Sequence, residues 1–269
     1  MNIFTLLLVQ PLTNGLILFY KVLGGNLGLA ILVFSVCLIF LMRPLTKPYL
    51  ESMKKIKALE PQMNKIKKKF AGDKIKLSQA QAELYKENKV NPGAGCLPYI
   101  LQFIILIALF NVFTRTLSAD VNATSKVNEL LYPVLKFAQN ETLNTRFLYL
   151  NINKPDSFNV PGLPFAIPGL FLILATVAQF ISVKITAPYL SIEEKMAKKT
   201  KSETDDMQVA MTQSMTYTLP LMTLIFGLRF PSGLALYWLV FSMVNVWQQV
   251  GMNGWGSLTP FVKRLGLVK

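Results

Sequence analysis

Residues 214–250 read SMTYTLPLMTLIFGLRFPSGLALYWLVFSMVNVWQQV and hold a single charge, Arg229. A run of about 20 apolar residues crosses the roughly 30 Å hydrocarbon core of a bilayer as a helix. Phe230-Pro231-Ser232-Gly233 interrupts the run with turn chemistry, because proline has no amide to donate and glycine tolerates backbone angles other residues avoid. The stretch predicts two spans, residues 214–229 and 230–250, joined by almost no loop. The uncharged residues from Met207 leave room for the fourth span to start earlier.

Working outward, three further apolar segments qualify: residues 27–46, 95–114 and 163–187. Five spans fit the composition, which is 52% apolar or aromatic and only 16% charged, against about 25% charged for soluble proteins. The chain has no histidine. That excludes Ser-His, Cys-His and His-metal chemistry. The two cysteines, Cys37 and Cys96, are too few for a disulfide scaffold or a Cys-rich metal site, and no metal or cofactor is expected. With no paired carboxylates in any span either, no catalytic residue is expected and the chain reads as a non-enzyme.

Orientation follows from the cations, which accumulate on the cytosolic side. Lys47 to Ala94, the loop after span three, the C-terminal tail and Arg43 together hold twenty-one Lys and Arg. The opposite side holds seven: Lys21, Arg115, Lys126, Lys136, Arg146, Lys154 and Arg229. The N-terminus is therefore expected outside and residues 251–269 form a short cytosolic tail. Residues 1–26 read as an external tail followed by an interfacial helix from about Pro11 to Leu23, the alternative being a sixth span. They lack the charged start and cleavage site of a secretory signal.

The segment 47–94 is polar and patterned. Ile56, Leu59, Met63, Ile66 and Phe70 alternate spacings of three and four, the seam of a coiled coil. Gly72-Asp73 breaks the helix, and Leu77, Ala80 and Leu84 repeat the spacing. An antiparallel cytosolic hairpin is predicted. Lys65, Lys67, Lys68 and Lys69 admit two readings, a solvated face near anionic lipid or a dock for an acidic partner such as ribosomal RNA. The loop 115–162 contains an amphipathic stretch, Val127 to Phe137, expected to lie on the outer membrane surface. Asn122-Ala-Thr and Asn140-Glu-Thr in the same loop match the glycosylation pattern, which arises easily by chance. The inner loop 188–213 is short and charged.

Several stretches resemble the YidC/Oxa1/Alb3 family of membrane protein insertases. Val90-Asn91-Pro92-Gly93-Ala94-Gly95-Cys96-Leu97-Pro98 is similar to the family's entry into its second core span, with Gln102 at its glutamine position. Phe230-Pro231-Ser232-Gly233-Leu234-Ala235-Leu236-Tyr237-Trp238 is similar to its turn and last span. Pro44-Leu45-Thr46, Ser52-Met53 and Leu59-Glu60-Pro61 resemble the start of its cytosolic hairpin, and Gln10-Pro11-Leu12 and Gly25-Asn26-Leu27-Gly28 its interfacial helix and first span.

The resemblance implies an all-α polytopic protein of the inner (plasma) membrane with a five-helix core. It implies a non-enzymatic insertase or chaperone, with no nucleotide, whose hydrophilic groove opens to the cytosol and to lipid. Its implied partners are nascent membrane proteins and the bilayer, with a Sec-type translocon and transient ribosome contact as further ones; no specific nucleic-acid site is expected. The family's groove arginine stands five residues before the proline matched by Pro44, and Ile39 occupies that place here. Arg43, one turn along, is the candidate substitute, the alternative being an interfacial anchor.

Gln102, Asn111, Gln179 and Asn245 are the other groove candidates, beside Thr176, Thr218, Thr223 and Ser242. Ile104, Ile105 and Leu106 on span two, with Leu221, Leu224 and Ile225 on span four, are the candidate slide for a client helix. Pro44, Asn91, Pro92, Gly95, Pro220, Phe230, Pro231, Gly233 and Trp238 are read as structural motif residues. Two other functions compete. A dedicated assembly factor would suit Ile39, whereas a channel or transporter is disfavoured by the lack of internal repeats and of acids within spans.

Overall fold

The structure, a computed structural model, describes residues 2–70, 73–90, 97–116, 123–138, 141–162, 164–186, 216–255, 258–264 and 266. Helix dominates it. The motif residues Asn91, Pro92 and Gly95, the two glycosylation asparagines, the inner loop 188–213 and the lead-in from Met207 lie outside the described residues.

A helix begins at Ile3, runs through a π-helical turn at Thr5–Val9 and continues as α1 (Gln10–Val22). The expected tail is thus helical. Pro11 offers no amide to Leu7, and the wide turn just before it gives the proline ring room. By length and composition Thr5–Val22 is the one helix among the described residues able to cross a membrane; Leu27–Leu41, Ile100–Thr114, Leu170–Ile185 and Thr216–Gly227 are shorter apolar helices.

After α1 come α2 (Leu27–Leu41), α3 (Arg43–Ala58), α4 (Glu60–Lys69), α5 (Lys74–Glu87), α6 (Leu97–Asn111, extended by a π-helical turn at Val112–Thr116) and α7 (Ala123–Asn128). Two small antiparallel pairs follow, β1 (Arg146–Phe147) with β2 (Leu150–Asn151) and β3 (Ser157–Phe158) with β4 (Ile167–Pro168). The chain ends with α8 (Leu170–Thr186), α9 (Thr216–Gly227), α10 (Ser232–Asn253) and α11 (Thr259–Arg264).

The chain divides into two compact units. The first comprises residues 1–41, 101–179 and 220–244. Here α1 packs on α2, where Phe34 lies so close to Gly15 that an added Cβ would stand 2.8 Å from its ring. Leu16, Ile17, Leu27, Ile31, Leu109, Phe113, Leu172, Leu234 and Tyr237 fill the core.

The predicted third span starts later than its apolar composition suggests. Ile167-Pro168 pairs with Ser157-Phe158 instead of joining the helix, and α8 begins at Leu170. The stretch 127–137 is likewise not one amphipathic helix. It folds as the end of α7, a turn and a 3₁₀ turn at Pro133–Leu135, and Val127, Leu131 and Phe137 are buried in the protein itself.

The second unit comprises residues 42–100, 180–219 and 245–269. In it Ile56, Leu59, Met63, Leu84 and Val90 form a buried cluster with Ile66 and Tyr85 against it. Phe70, Leu77 and Ala80 are only half-buried, so the apolar seam is closed at the base of the hairpin and looser at its tip. Pro61 sits in the first turn of α4, where a missing amide costs nothing. Asp73 caps α5, accepting from the Lys76 amide at 3.1 Å and pairing with Lys76 Nζ at 2.9 Å.

Candidate functional site

A polar side chain in an apolar helix must find a partner, because hydrocarbon supplies none. In the first unit these side chains fall into two groups. Thr13, Ser35, Asn111, Thr114 and Thr176 each donate to the carbonyl four residues earlier in their own helix, Asn111 Nδ2 to Ile107 O at 2.7 Å among them. These are locally satisfied. The second group links helices. Tyr237 of α10 donates its hydroxyl to Gln102 Oε1 of α6 at 3.1 Å, and Thr223 of α9 donates to Gln179 Oε1 of α8 at 2.5 Å.

Gln102 is incompletely paired. Its Nε2 is buried and makes no hydrogen bond among the described residues. Exchanging the amide's oxygen and nitrogen would not repair this, since the Tyr237 hydroxyl can meet only one of the two atoms. A buried amide nitrogen with no acceptor costs about 1–3 kcal/mol, and such groups in native proteins call for an explanation.

The loop between α7 and α8 is fastened at both ends. Asn14, in the middle of α1, donates to Leu130 O and accepts from Tyr132 N, and Tyr20 accepts from Asn144 N. At the other end the loop supplies what two helix starts lack, since the first amides of a helix have no partner within it. The Asp156 carboxylate, 1% exposed, accepts from Leu172 N at 2.8 Å and from the Tyr149 hydroxyl at 2.9 Å. The same hydroxyl accepts from Phe171 N at 3.2 Å, and Asp156 O accepts from Gly169 N at 2.8 Å. Gly169 is required because the Asp156 carboxylate occupies the place of a Cβ.

Two to five residues upstream the loop does the same for α10. Ser232 N donates to Lys154 O at 2.8 Å, Gly233 N to Ile152 O at 3.1 Å and Ser232 Oγ to Asn151 O at 2.9 Å. Gly233 admits this approach. A Cβ there would stand 2.6 Å from the Phe113 ring and 2.9 Å from Ile152. Phe230 stacks on Phe226 and meets Phe110 of α6 at 4.9 Å between ring centres, while Pro220, Pro231 and Trp238 are buried. The turn motif is thus a packing device for α6, the loop and α10. Sequence reasoning missed Asp156 and Tyr149; the one signal available was an acid a short distance before an apolar run, where an N-cap is wanted.

The remaining candidates are placed as follows. Arg43, exposed, is the first residue of α3, and Met42 forms a turn between it and α2, so no single helix carries Ile39 and Arg43 on one face. Ile39 is half-buried; Pro44 is exposed. Arg43 and Asn245 belong to the second unit, Gln102, Asn111 and Gln179 to the first. Thr223 and Ser242 are buried, Thr218 exposed.

Of the slide candidates, Ile104, Leu221 and Ile225 are exposed, Leu106 and Leu224 half-buried, and Ile105 is turned into the protein at 8% exposure. The exposed apolar stripe of α6 in this unit is Phe103, Ile104 and Ile107. Comparable stripes run along α8, at Leu170, Ile173, Leu174 and Val177, and along α9, at Leu221, Met222, Ile225 and Phe226. Exposure alone therefore does not distinguish α6 and α9.

A family model described as the 60Kd inner membrane protein matches residues 18–257. The chain is 32% identical over 225 residues to the membrane protein insertase YidC of Fusobacterium nucleatum, covering 84% of this chain and 85% of that one. It is 32% identical over 231 residues to the protein of the same name from Prosthecochloris aestuarii, covering 85% and 33%. For that of Shewanella baltica the identity is 33% over 237 residues, covering 87% and 35%. The chain thus spans most of the first relative and about a third of the other two.

Proposed function

The chain belongs to the 60Kd inner membrane protein family, and from that premise we propose that it is a membrane protein insertase working through a hydrated groove without nucleotide. The observation that carries the groove is Gln102, a buried amide on α6 left half-paired beside Tyr237. Water or a client's backbone carbonyl satisfies its free atom. Gln179, paired to Thr223, contributes a second amide. Arg43 adds a positive charge at the cytosolic end, in partial replacement of the arginine that Ile39 displaces.

A client's polar tail rests against these groups while its apolar helix leaves along α6 and α9 into lipid. Crossing about 30 Å of hydrocarbon unaided is prohibitive for a polar segment, and polar groups partway shorten the barrier. Burial of client apolar surface, at about 25 cal/mol per Å², drives release without nucleotide hydrolysis.

The cation asymmetry supports an N-terminus outside and a cytosolic hairpin. The helix 3–22 lies along the outer surface in this reading. Its central Asn14 holds irregular loop backbone, which is disfavoured at mid-bilayer depth. The loop fastened to α8 and α10 then closes the outer end, and a Sec-type translocon and the ribosome are transient partners.

The test is reconstitution into liposomes with a short-tailed single-span client, reading protease protection of the tail for wild type, Gln102→Leu, Arg43→Ala and Arg43→Ala with Ile39→Arg. Insertion by wild type, reduced in Gln102→Leu, is expected. Loss in Arg43→Ala with recovery in the double variant supports the substitute arginine. A well-folded wild type that inserts no client refutes the general insertase. Ile39 favours one second reading, an assembly factor dedicated to a single complex, and a panel of clients separates the two by breadth.

A further inference from the structure

The apolar stripe of the 43–90 hairpin does not use all its apolar residues. On a helix, nine residues make two and a half turns, so Ile75 lies on the face of α5 opposite the buried Leu84. Ile75, in the first turn of α5, is 72% exposed, and Phe70, five residues earlier, is half-buried. Around it the sequence from Lys65 to Lys76 holds six lysines and one aspartate. Lys68, Lys69 and Lys76 are exposed, and Lys69 Nζ stands 5.2 Å over the Phe70 ring. An exposed aliphatic side chain within a lysine-rich stretch is more than a solvated face.

We propose that the hairpin tip docks on an anionic bilayer surface, inserting Ile75 among the headgroups while the lysines meet lipid phosphates. Two features select lipid over nucleic acid. An isoleucine cannot stack on bases, and the tip has lysines but no arginine, giving diffuse attraction without the planar, bidentate contacts that arginine brings. The chain belongs to an inner membrane family, so the lipid surface is a tethered neighbour at high effective concentration. The cytoplasmic leaflet carries the anionic lipid. The inference rests on membrane residence and on the cytosolic hairpin proposed above, and stands whether or not the chain inserts clients.

The full chain, with Cys37→Ser, Cys96→Ser and a fluorophore on Ser78→Cys, is placed in nanodiscs with brominated acyl chains near the headgroups. Ser78 is exposed one turn from Ile75. Quenching about twofold greater in discs of about 40% phosphatidylglycerol than in phosphatidylcholine alone is expected, falling back in about 0.5 M salt. Ile75→Glu and the pair Lys68→Glu, Lys69→Glu should both reduce quenching to the phosphatidylcholine level. Hydrogen exchange over 80–87 confirms that the hairpin stays folded in each. Equal quenching in both lipids overturns the proposal, as does an Ile75→Glu signal like that of wild type. A label that ignores phosphatidylglycerol and responds to added ribosomes also overturns it, in favour of an RNA dock.

Discussion

Replacing Asp156 tests whether the α7–α8 loop is held by its carboxylate. In Asp156→Ala, Leu172 N loses the acceptor at 2.8 Å and the Tyr149 hydroxyl the one at 2.9 Å, and both Asp156 and Leu172 are buried. A hydrogen bond to a charged group contributes about 1.5–3 kcal/mol, so the two at the low end predict a loss of about 3 kcal/mol. For a chain of this size that lowers Tm by about 6–12 °C. Asp156→Asn retains an oxygen for Leu172 N but turns a donor toward Tyr149, whose hydroxyl must then accept; its cost is about half.

Thermal unfolding in detergent, followed by helical circular dichroism, reads both variants, and adding Tyr149→Phe completes a double-mutant cycle. The pair should couple by about 1 kcal/mol. Asp156→Asn as damaging as Asp156→Ala, or full additivity with Tyr149→Phe, would refute the capping argument.

Burial, aided by the Asp156 carboxylate, pushes the Tyr149 phenol above its ordinary value of 10. Because the folded value exceeds the unfolded one, its contribution is complete below pH 10 and is lost as pH rises through the folded value; alkaline unfolding should be flatter in Tyr149→Phe. The bonds to Lys76 lower the Asp73 carboxyl, so its contribution is present above 3.8 and fades as pH falls through the folded value. Protection of the amides over 74–80, taken relative to intrinsic exchange at each pH, should fall at low pH and in Asp73→Ala, but much less in Asp73→Asn. Gly233→Ala forces the Phe113 ring aside and should cost about 1–3 kcal/mol, part of it regained on adding Phe113→Leu, as denaturation will show. Gln102→Leu removes an unpaired amide nitrogen worth about 1–3 kcal/mol but takes the acceptor from the buried Tyr237 hydroxyl at a similar cost. It should therefore unfold close to the wild-type temperature while inserting less, and adding Tyr237→Phe should raise that temperature.

What the sequence made legible depended on the range of the interaction. The FPSG turn and the 56–84 seam were readable because turn chemistry and helical periodicity are local. Gln102 and Gln179 stood out because amides are expensive in apolar helices, although their partners Tyr237 and Thr223, 135 and 44 residues away, could not be named. The start of α8 was misplaced because 163–169 is apolar enough to be helix, and only its pairing with Ser157-Phe158 shows otherwise. Val127, Leu131 and Phe137 were recognisable as an apolar face, yet their periodicity could not say that the protein, not lipid, covers it. Asp156 looked like any loop acid until the helix it caps was seen beside it.

The loop that caps α8 and α10 also constrains the order of assembly. Asn151 is synthesised 81 residues before Ser232, whose hydroxyl it receives. At about 5–20 residues per second, roughly 4–16 s separate the two. During that interval the α8 cap at Asp156 can form, but the carbonyls of Asn151, Ile152 and Lys154 await a helix not yet made. The chain therefore passes through a stage with one latch closed and the other open, and α10 is the helix that shuts it.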